Sequence, residues 1–129
     1  MKKLKGNFGY YSHSKRIYNT EEEKAFLKAI NKKFKGTVIC PNNHIGKLTN
    51  NEDYLSIVRK ADIVFVSNIE GYIGKGSYKE CNTAMENGIP VYLVERNGKD
   101  FYFRYAISLE VDNPDNPIKY AAVESVLLD

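Results

Sequence analysis

The sequence is poor in cysteine and histidine. Its two cysteines, Cys40 and Cys81, stand outside any C-x-x-C pair, so both are predicted to be free thiols packed in the core rather than parts of a disulfide scaffold. The only histidines are His13 and His44, and no ligand spacing typical of a zinc site occurs. We therefore expect neither a metal nor a cofactor.

Targeting and membrane signals are also missing. Lysines open the chain, but no apolar segment follows them, and no later run approaches the ~20 residues of a membrane-spanning helix. The formal net charge is only +3, and the lysines are interspersed with acidic residues, unlike the basic stripe of a nucleic-acid-binding protein. These features predict a cytoplasmic protein that contacts no membrane and binds a small molecule rather than a nucleic-acid polymer.

Strands and helices are predicted to alternate. Hydrophobic residues make up 43% of the chain, and its 129 residues fit one domain, residues 1–129. A first strand ends near Tyr10 and Tyr11, and a helix then opens with the capping-box pattern at residues 20–23. The further predicted elements are strands at 38–39, 61–68, 90–94 and 101–105, and helices around 54–58, at 77–87 and at 120–128.

The strand at 61–68 is almost continuously apolar, which is typical of a parallel strand covered by helices on both faces. This order and composition predict an α/β fold: a single flavodoxin/Rossmann-like domain of three layers, with a mainly parallel sheet of about five strands.

A glycine loop between this strand and the next helix marks the predicted binding site. Gly74, Lys75, Gly76 and Ser77 lead directly to Glu80, where the carboxyl edge of the sheet meets the positive end of a helix. Lys75 favours a nearby phosphate, against the alternative of a lysine that is merely solvated in a loop. Ser77-x-x-Glu80 is also a capping-box pattern, so a purely structural role for both residues is the alternative. The same pattern at residues 20–23 follows no glycine loop, and we assign that copy a structural role only.

Other polar residues are expected at the same edge. Tyr10 and Tyr11 are neighbours in a strand and point to opposite sides, so only one of them is expected in the site. Ser12 and Arg16 follow that strand, and Asn68 ends the buried one. These residues are candidates for contacts with a sugar or a phosphate, against the alternatives of a turn-forming Asn and an exposed basic loop.

The segment 61–94 resembles the nucleoside 2-deoxyribosyltransferase family. That family carries a D-x-G-T-x-x-E stretch, a helix and a G-K-P-V strand, matched here by Gly76, Ser77 and Glu80 and by the sequence Asn-Gly-Ile-Pro-Val at residues 87–91. The resemblance implies that Glu80 is a nucleophile that attacks the anomeric carbon of a nucleoside. Tyr10 or Tyr11 could position Glu80 or contact the sugar, and we assign the first role to Tyr10 and the second to Tyr11. The resemblance also implies homo-oligomers.

The chain departs from the family pattern where an acidic residue normally precedes the glycine, because Gly74 and Lys75 stand there. Nucleotide N-glycosidases and NAD-cleaving TIR-type enzymes are similar in placing a glutamate at this point. The predicted activity is therefore cleavage or transfer of an N-glycosidic bond in a nucleoside or nucleoside monophosphate. The alternatives are a nucleotide-binding module without chemistry and a TIR-like interaction or NAD-cleaving domain.

Overall fold

The structure is a computed structural model that describes residues 4–44, 51–67, 72–111 and 118–128. In chain order, the elements within these ranges are β1 (Leu4–Ser12), α1 (Glu21–Lys33), β2 (Phe34–Ile39), α2 (Pro41–His44), α3 (Asn51–Val58), β3 (Ile63–Ser67), β4 (Tyr72–Ile73), α4 (Lys75–Glu86), β5 (Val91–Asn97), β6 (Asp100–Val111) and β7 (Ile118–Leu127). A 3₁₀ turn, Lys15–Ile17, lies between β1 and α1. Among the described residues, no helix is both long and apolar enough to cross a bilayer.

The strands form one sheet in the order β2-β1-β3-β5-β6-β7-β4. The first four strands in this order run parallel to one another, whereas β6, β7 and the short β4 are joined by antiparallel pairings. The predicted mixed α/β class is confirmed. The described part of the sheet has seven strands rather than about five, and its parallel portion is confined to one end.

The predicted last helix at 120–128 is wrong. The segment contains several good helix formers, but β7 pairs along β6 from Val111↔Tyr120 to Arg104↔Leu127. Without β7, the outer edge of the long β6 strand would present a row of unpaired backbone N–H and C=O groups. Pairing that edge outweighs a helix propensity of a few tenths of a kcal/mol per residue.

Side chains alternate along β1 and β3 between two apolar clusters. One cluster contains Tyr10 and Val64 and packs against α3 and α4, while the other contains Tyr11 and Phe65 and packs against α1. Every residue of β3 is buried, as its apolar composition predicts. Both cysteines are buried free thiols, one in each cluster.

Helix ends follow the expected chemistry at two places. The Thr20 hydroxyl accepts the Glu23 backbone N–H at 3.2 Å and caps α1. Gly88, with φ +69°, lies just beyond α4 in the left-handed conformation that favours glycine. Residues 9–12 of β1 and all of β3 are buried, so their carboxyl ends are fixed in the centre of the sheet.

Candidate active site at the carboxyl ends of β1 and β3

Helix α4 begins two residues earlier than predicted, and this changes the roles of Ser77 and Glu80. The N-cap is Gly74, which has no side chain to cap the helix. Ser77 is the third residue inside α4 and is 3% exposed. Because a residue within the helix cannot be its N-cap, the capping-box interpretation of Ser77 and Glu80 is wrong.

The Glu80 carboxylate is held by two hydroxyl groups of β1. The Tyr10 hydroxyl donates to Oε2, and the Ser12 hydroxyl donates to Oε1 at 2.8 Å. Residues 10 and 12 share one face of β1 because successive strand side chains point to opposite sides. Tyr10 and Ser12 are fully buried, while Glu80 remains partly exposed. The carboxylate is thus held in place by the sheet, in a residue that is half-buried overall.

Burial dominates the electrostatics of this group. It raises the pKa of Glu80 above its ordinary value, although the hydrogen bonds from Tyr10 and Ser12 act in the opposite direction. The start of α4 favours the charged form of a nearby carboxyl group, but it does not outweigh that desolvation. Burial, followed by the charge of Glu80, raises the pKa of Tyr10 far above its ordinary value. Tyr10 therefore stays a hydrogen-bond donor at any physiological pH.

The structure brings only one of the two tyrosines to Glu80. Tyr11 points to the opposite face, where its hydroxyl donates to the Ser67 Oγ at 3.1 Å. Its ring stacks on that of His13 with centroids 4.1 Å apart. Tyr11 is fully buried there, so its predicted contact with substrate is not supported by its position.

The glycine loop packs against the loop that follows β1. A Cβ on Gly74 would lie 3.8 Å from the Ser14 Cα, whereas one on Gly76 would meet no described atom within 4 Å. Lys75 and Arg16 are exposed, and the Arg16 backbone N–H donates to the Ser14 Oγ at 3.2 Å. Among the described residues, none therefore fills the space beside Gly76. Asn68, predicted to contact a sugar, lies outside the described residues.

Ser77 contributes an unusual polar atom to this region. Its hydroxyl is buried, and among the described residues it has no hydrogen-bond partner. Leaving a buried hydroxyl unpaired costs about 1–3 kcal/mol. A ligand that hydrogen-bonds this hydroxyl would recover that cost.

Tyr18 was not predicted as a site residue. It is half-buried, and burial together with the charges of Glu80 and other nearby groups raises its pKa to about 12. Its ring centroid lies 4.9 Å from that of His13. No motif marks Tyr18 in the sequence, because the 3₁₀ turn that returns it toward the sheet is not encoded by a recognisable pattern.

The capping-box pattern at residues 20–23 behaves only partly as predicted. Thr20 caps α1, but the Glu23 carboxylate does not return to the cap. Instead, Glu23 Oε2 lies 2.7 Å from the His13 Nε2 and accepts from the Asn42 Nδ2 at 2.8 Å. Burial lowers the pKa of His13, the hydrogen bond to Glu23 opposing it. Glu23 therefore does not complete the capping box, and the structural role assigned to this copy stays a prediction.

No protein-family model, curated protein or solved structure matches the chain significantly. The resemblance to the nucleoside 2-deoxyribosyltransferases accordingly stays a prediction.

Proposed function

We propose that the protein cleaves or transfers the N-glycosidic bond of a nucleoside or nucleoside monophosphate, with Glu80 as the nucleophile. One observation carries this proposal. The two oxygens of the Glu80 carboxylate are each held by the hydroxyl of a buried residue, Tyr10 on one side and Ser12 on the other, while Glu80 as a whole is half-buried. A carboxylate fixed in this way is ready to stabilise or trap an oxocarbenium-like centre.

The chemistry has two steps. A Glu80 oxygen attacks the anomeric carbon while the C–N bond breaks, and the bonding pair leaves with the base, which takes up a proton from water. Water or a second base then attacks the same carbon, which breaks the ester and regenerates the carboxylate. Tyr10 and Ser12 act as positioning residues because both donate to Glu80 and are buried.

A phosphorylated nucleoside fits the surroundings of the glycine loop. The open space beside Gly76 admits close approach to the backbone at the start of α4, where unpaired N–H groups and the helix dipole favour an anion. The buried Ser77 hydroxyl supplies a further hydrogen-bonding group, and Lys75 and Arg16 supply positive charge. The proposed fold type is the flavodoxin/Rossmann-like three-layer domain, in which ligands bind at this edge of the sheet.

The experiment is a base-release assay on a mixed panel of nucleosides, nucleotides and NAD, read by mass spectrometry. Glu80→Gln is compared with Glu86→Gln, which makes the same chemical change at an exposed position of the same helix. Base release that is retained in Glu86→Gln and lost in Glu80→Gln supports the proposal. Equal release from both variants would overturn it. Analytical ultracentrifugation of the wild type tests the predicted homo-oligomer.

A binding module without chemistry is the second candidate, and the raised pKa of Glu80 favours it. A raised pKa widens the pH range in which the carboxyl group is protonated, and in that state it cannot attack but still forms hydrogen bonds. Titration calorimetry with nucleoside monophosphates separates the two functions. Binding without base release from wild type supports the module, and NAD cleavage would indicate a TIR-like activity.

A further inference from the structure

A second polar cluster lies on the other face of β1, away from Glu80. It consists of His13, Glu23 and Cys40, which are 5%, 2% and 0% exposed. One ligand atom from each residue, a ring nitrogen, a carboxylate oxygen and a sulfur, lies within 4.8 Å of the other two. We propose that these three side chains form a Zn²⁺ site that joins the ends of β1 and β2 to the first turn of α1.

The histidine is oriented as a metal ligand. Its Nδ1 lies 3.2 Å from the Tyr11 backbone oxygen, which can only accept, so Nδ1 carries a proton. In the neutral ring, Nε2 then has a lone pair directed at Glu23 Oε2, 2.7 Å away. Metal-binding histidines commonly donate their other ring N–H to a backbone carbonyl in this way.

Two acceptor atoms so close need a cation between them. A single shared proton meets this need in the metal-free protein, and Zn²⁺ meets it when bound. Tetrahedral coordination at the usual Zn–N and Zn–O lengths separates two ligand atoms by about 3.3 Å, so His13 and Glu23 need to part by roughly half an ångström. The Asn42 carbonyl oxygen accepts from the Cys40 thiol at 3.3 Å and is a further candidate zinc ligand.

Charge balance favours zinc in this buried position. Zn²⁺ with one thiolate, one carboxylate and one neutral imidazole has no net charge, which is the state that a buried cluster accommodates best. A thiolate among the ligands selects Zn²⁺ over Mg²⁺ or Ca²⁺, which prefer oxygen. The spacing along the chain matches no zinc motif, because the ligands are brought together by the parallel pairing of β1 with β2.

Cobalt spectroscopy tests the site directly. The full chain is freed of metal with EDTA and titrated with Co²⁺, and a second sample is refolded from guanidinium with Co²⁺ because the cluster is buried. We expect saturation at one equivalent, with visible bands typical of four-coordinate cobalt and a near-ultraviolet thiolate-to-cobalt band. All of these bands should disappear when Zn²⁺ displaces the Co²⁺. A folded wild type without the thiolate band in either sample would overturn the proposal.

The second buried cysteine provides a matched control. Cys40→Ser is expected to remove the thiolate band, while Cys81→Ser, in the opposite apolar cluster, is expected to keep it. His13→Gln should weaken Co²⁺ binding by at least about tenfold. A band that survives in Cys40→Ser, or that is lost in a folded Cys81→Ser, contradicts the assignment.

X-ray absorption on the zinc-loaded wild type needs no variant to fold. One sulfur at about 2.3 Å together with nitrogen or oxygen ligands is expected. A shell without sulfur would overturn the site. The proposal does not depend on the glycosidic chemistry, since neither Co²⁺ binding nor the sulfur shell requires turnover.

Discussion

Replacing Glu80 by Gln is expected to stabilise the protein at neutral pH. In the folded state, burial raises the pKa of Glu80 above the value of about 4.3 that it has in the unfolded chain. A carboxyl group with a raised folded pKa favours folding below its unfolded pKa, and this contribution is lost as pH rises through the folded pKa. At pH 7, the native protein therefore bears the cost either of burying the charge or of taking up a proton, and Gln requires neither.

The magnitude follows from two opposing effects. Each unit by which the folded pKa exceeds the unfolded pKa costs about 1.4 kcal/mol at pH 7. The hydrogen bonds from Tyr10 and Ser12 are already contained in this shift, because they lower the pKa that burial raises, and Gln keeps neutral hydrogen bonds to the same two hydroxyls. Since the pKa is raised despite these bonds, burial is the larger effect. We expect a net gain in the free energy of unfolding at pH 7.

The assay is urea unfolding of wild type and Glu80→Gln at pH 7 and at pH 3.5, followed by circular dichroism. The gain is expected at pH 7 and should vanish at pH 3.5, where the wild-type carboxyl is protonated in both states. A helix-capping role would instead give a loss of about 0.5–2 kcal/mol. A variant less stable than wild type at pH 7 would refute the reasoning, and a variant both more stable and inactive would show the trade-off typical of functional sites.

Three further results are expected. Gly76→Ala should stabilise α4 by about 0.5–1 kcal/mol in a thermal melt, because alanine is the better helix former and no described atom lies within 4 Å of the added methyl group. The same change should lower base release, and unchanged release would mean that no ligand approaches Gly76. Base release should increase with pH through the raised pKa of Glu80, since only the carboxylate attacks, and a profile that falls over that range would contradict a nucleophilic role. Tyr10→Phe removes a hydrogen-bond donor that lowers the pKa of Glu80, so the rise of base release with pH should move to higher pH. Tyr11→Phe, on the opposite face, should leave that rise unchanged. Equal shifts in the two variants would disprove the assignment of faces.

Local patterns predicted the parallel half of the sheet and part of the antiparallel strand β6, and failed at β7. The apolar run of β3 requires burial on both faces, so its central position could be inferred from composition. The segment at 120–128 has mixed preferences, and only the unpaired edge of β6, more than ten residues away along the chain, decides that it becomes β7. A short sequence window does not show which distant segments pair with each other.

In the candidate site, too, local features were predicted and contacts between distant segments were not. The alternation of β1 separated Tyr10 from Tyr11 correctly, because side-chain direction in a strand is a local property. The partners of Glu80 were less accessible to prediction, since they depend on how α4 packs across β1, nearly 70 residues earlier in the chain. The burial that raises the pKa of Glu80 arises from that packing, so the sequence could suggest only the opposing effect of the helix end.

The glutamates of the two capping-box patterns, Glu23 and Glu80, behave alike in the structure. In a capping box, the glutamate returns to the backbone of its own helix, but Glu23 and Glu80 both turn away and bind residues at the end of β1. Glu23 meets His13 on one side of the sheet, and Glu80 meets Ser12 on the other. Each helix thereby gives up a local hydrogen bond for a carboxylate buried against the sheet, a choice that local stability alone does not favour. The carboxyl end of β1 is therefore the place where this fold concentrates its unusual polar chemistry, on both faces of a single strand.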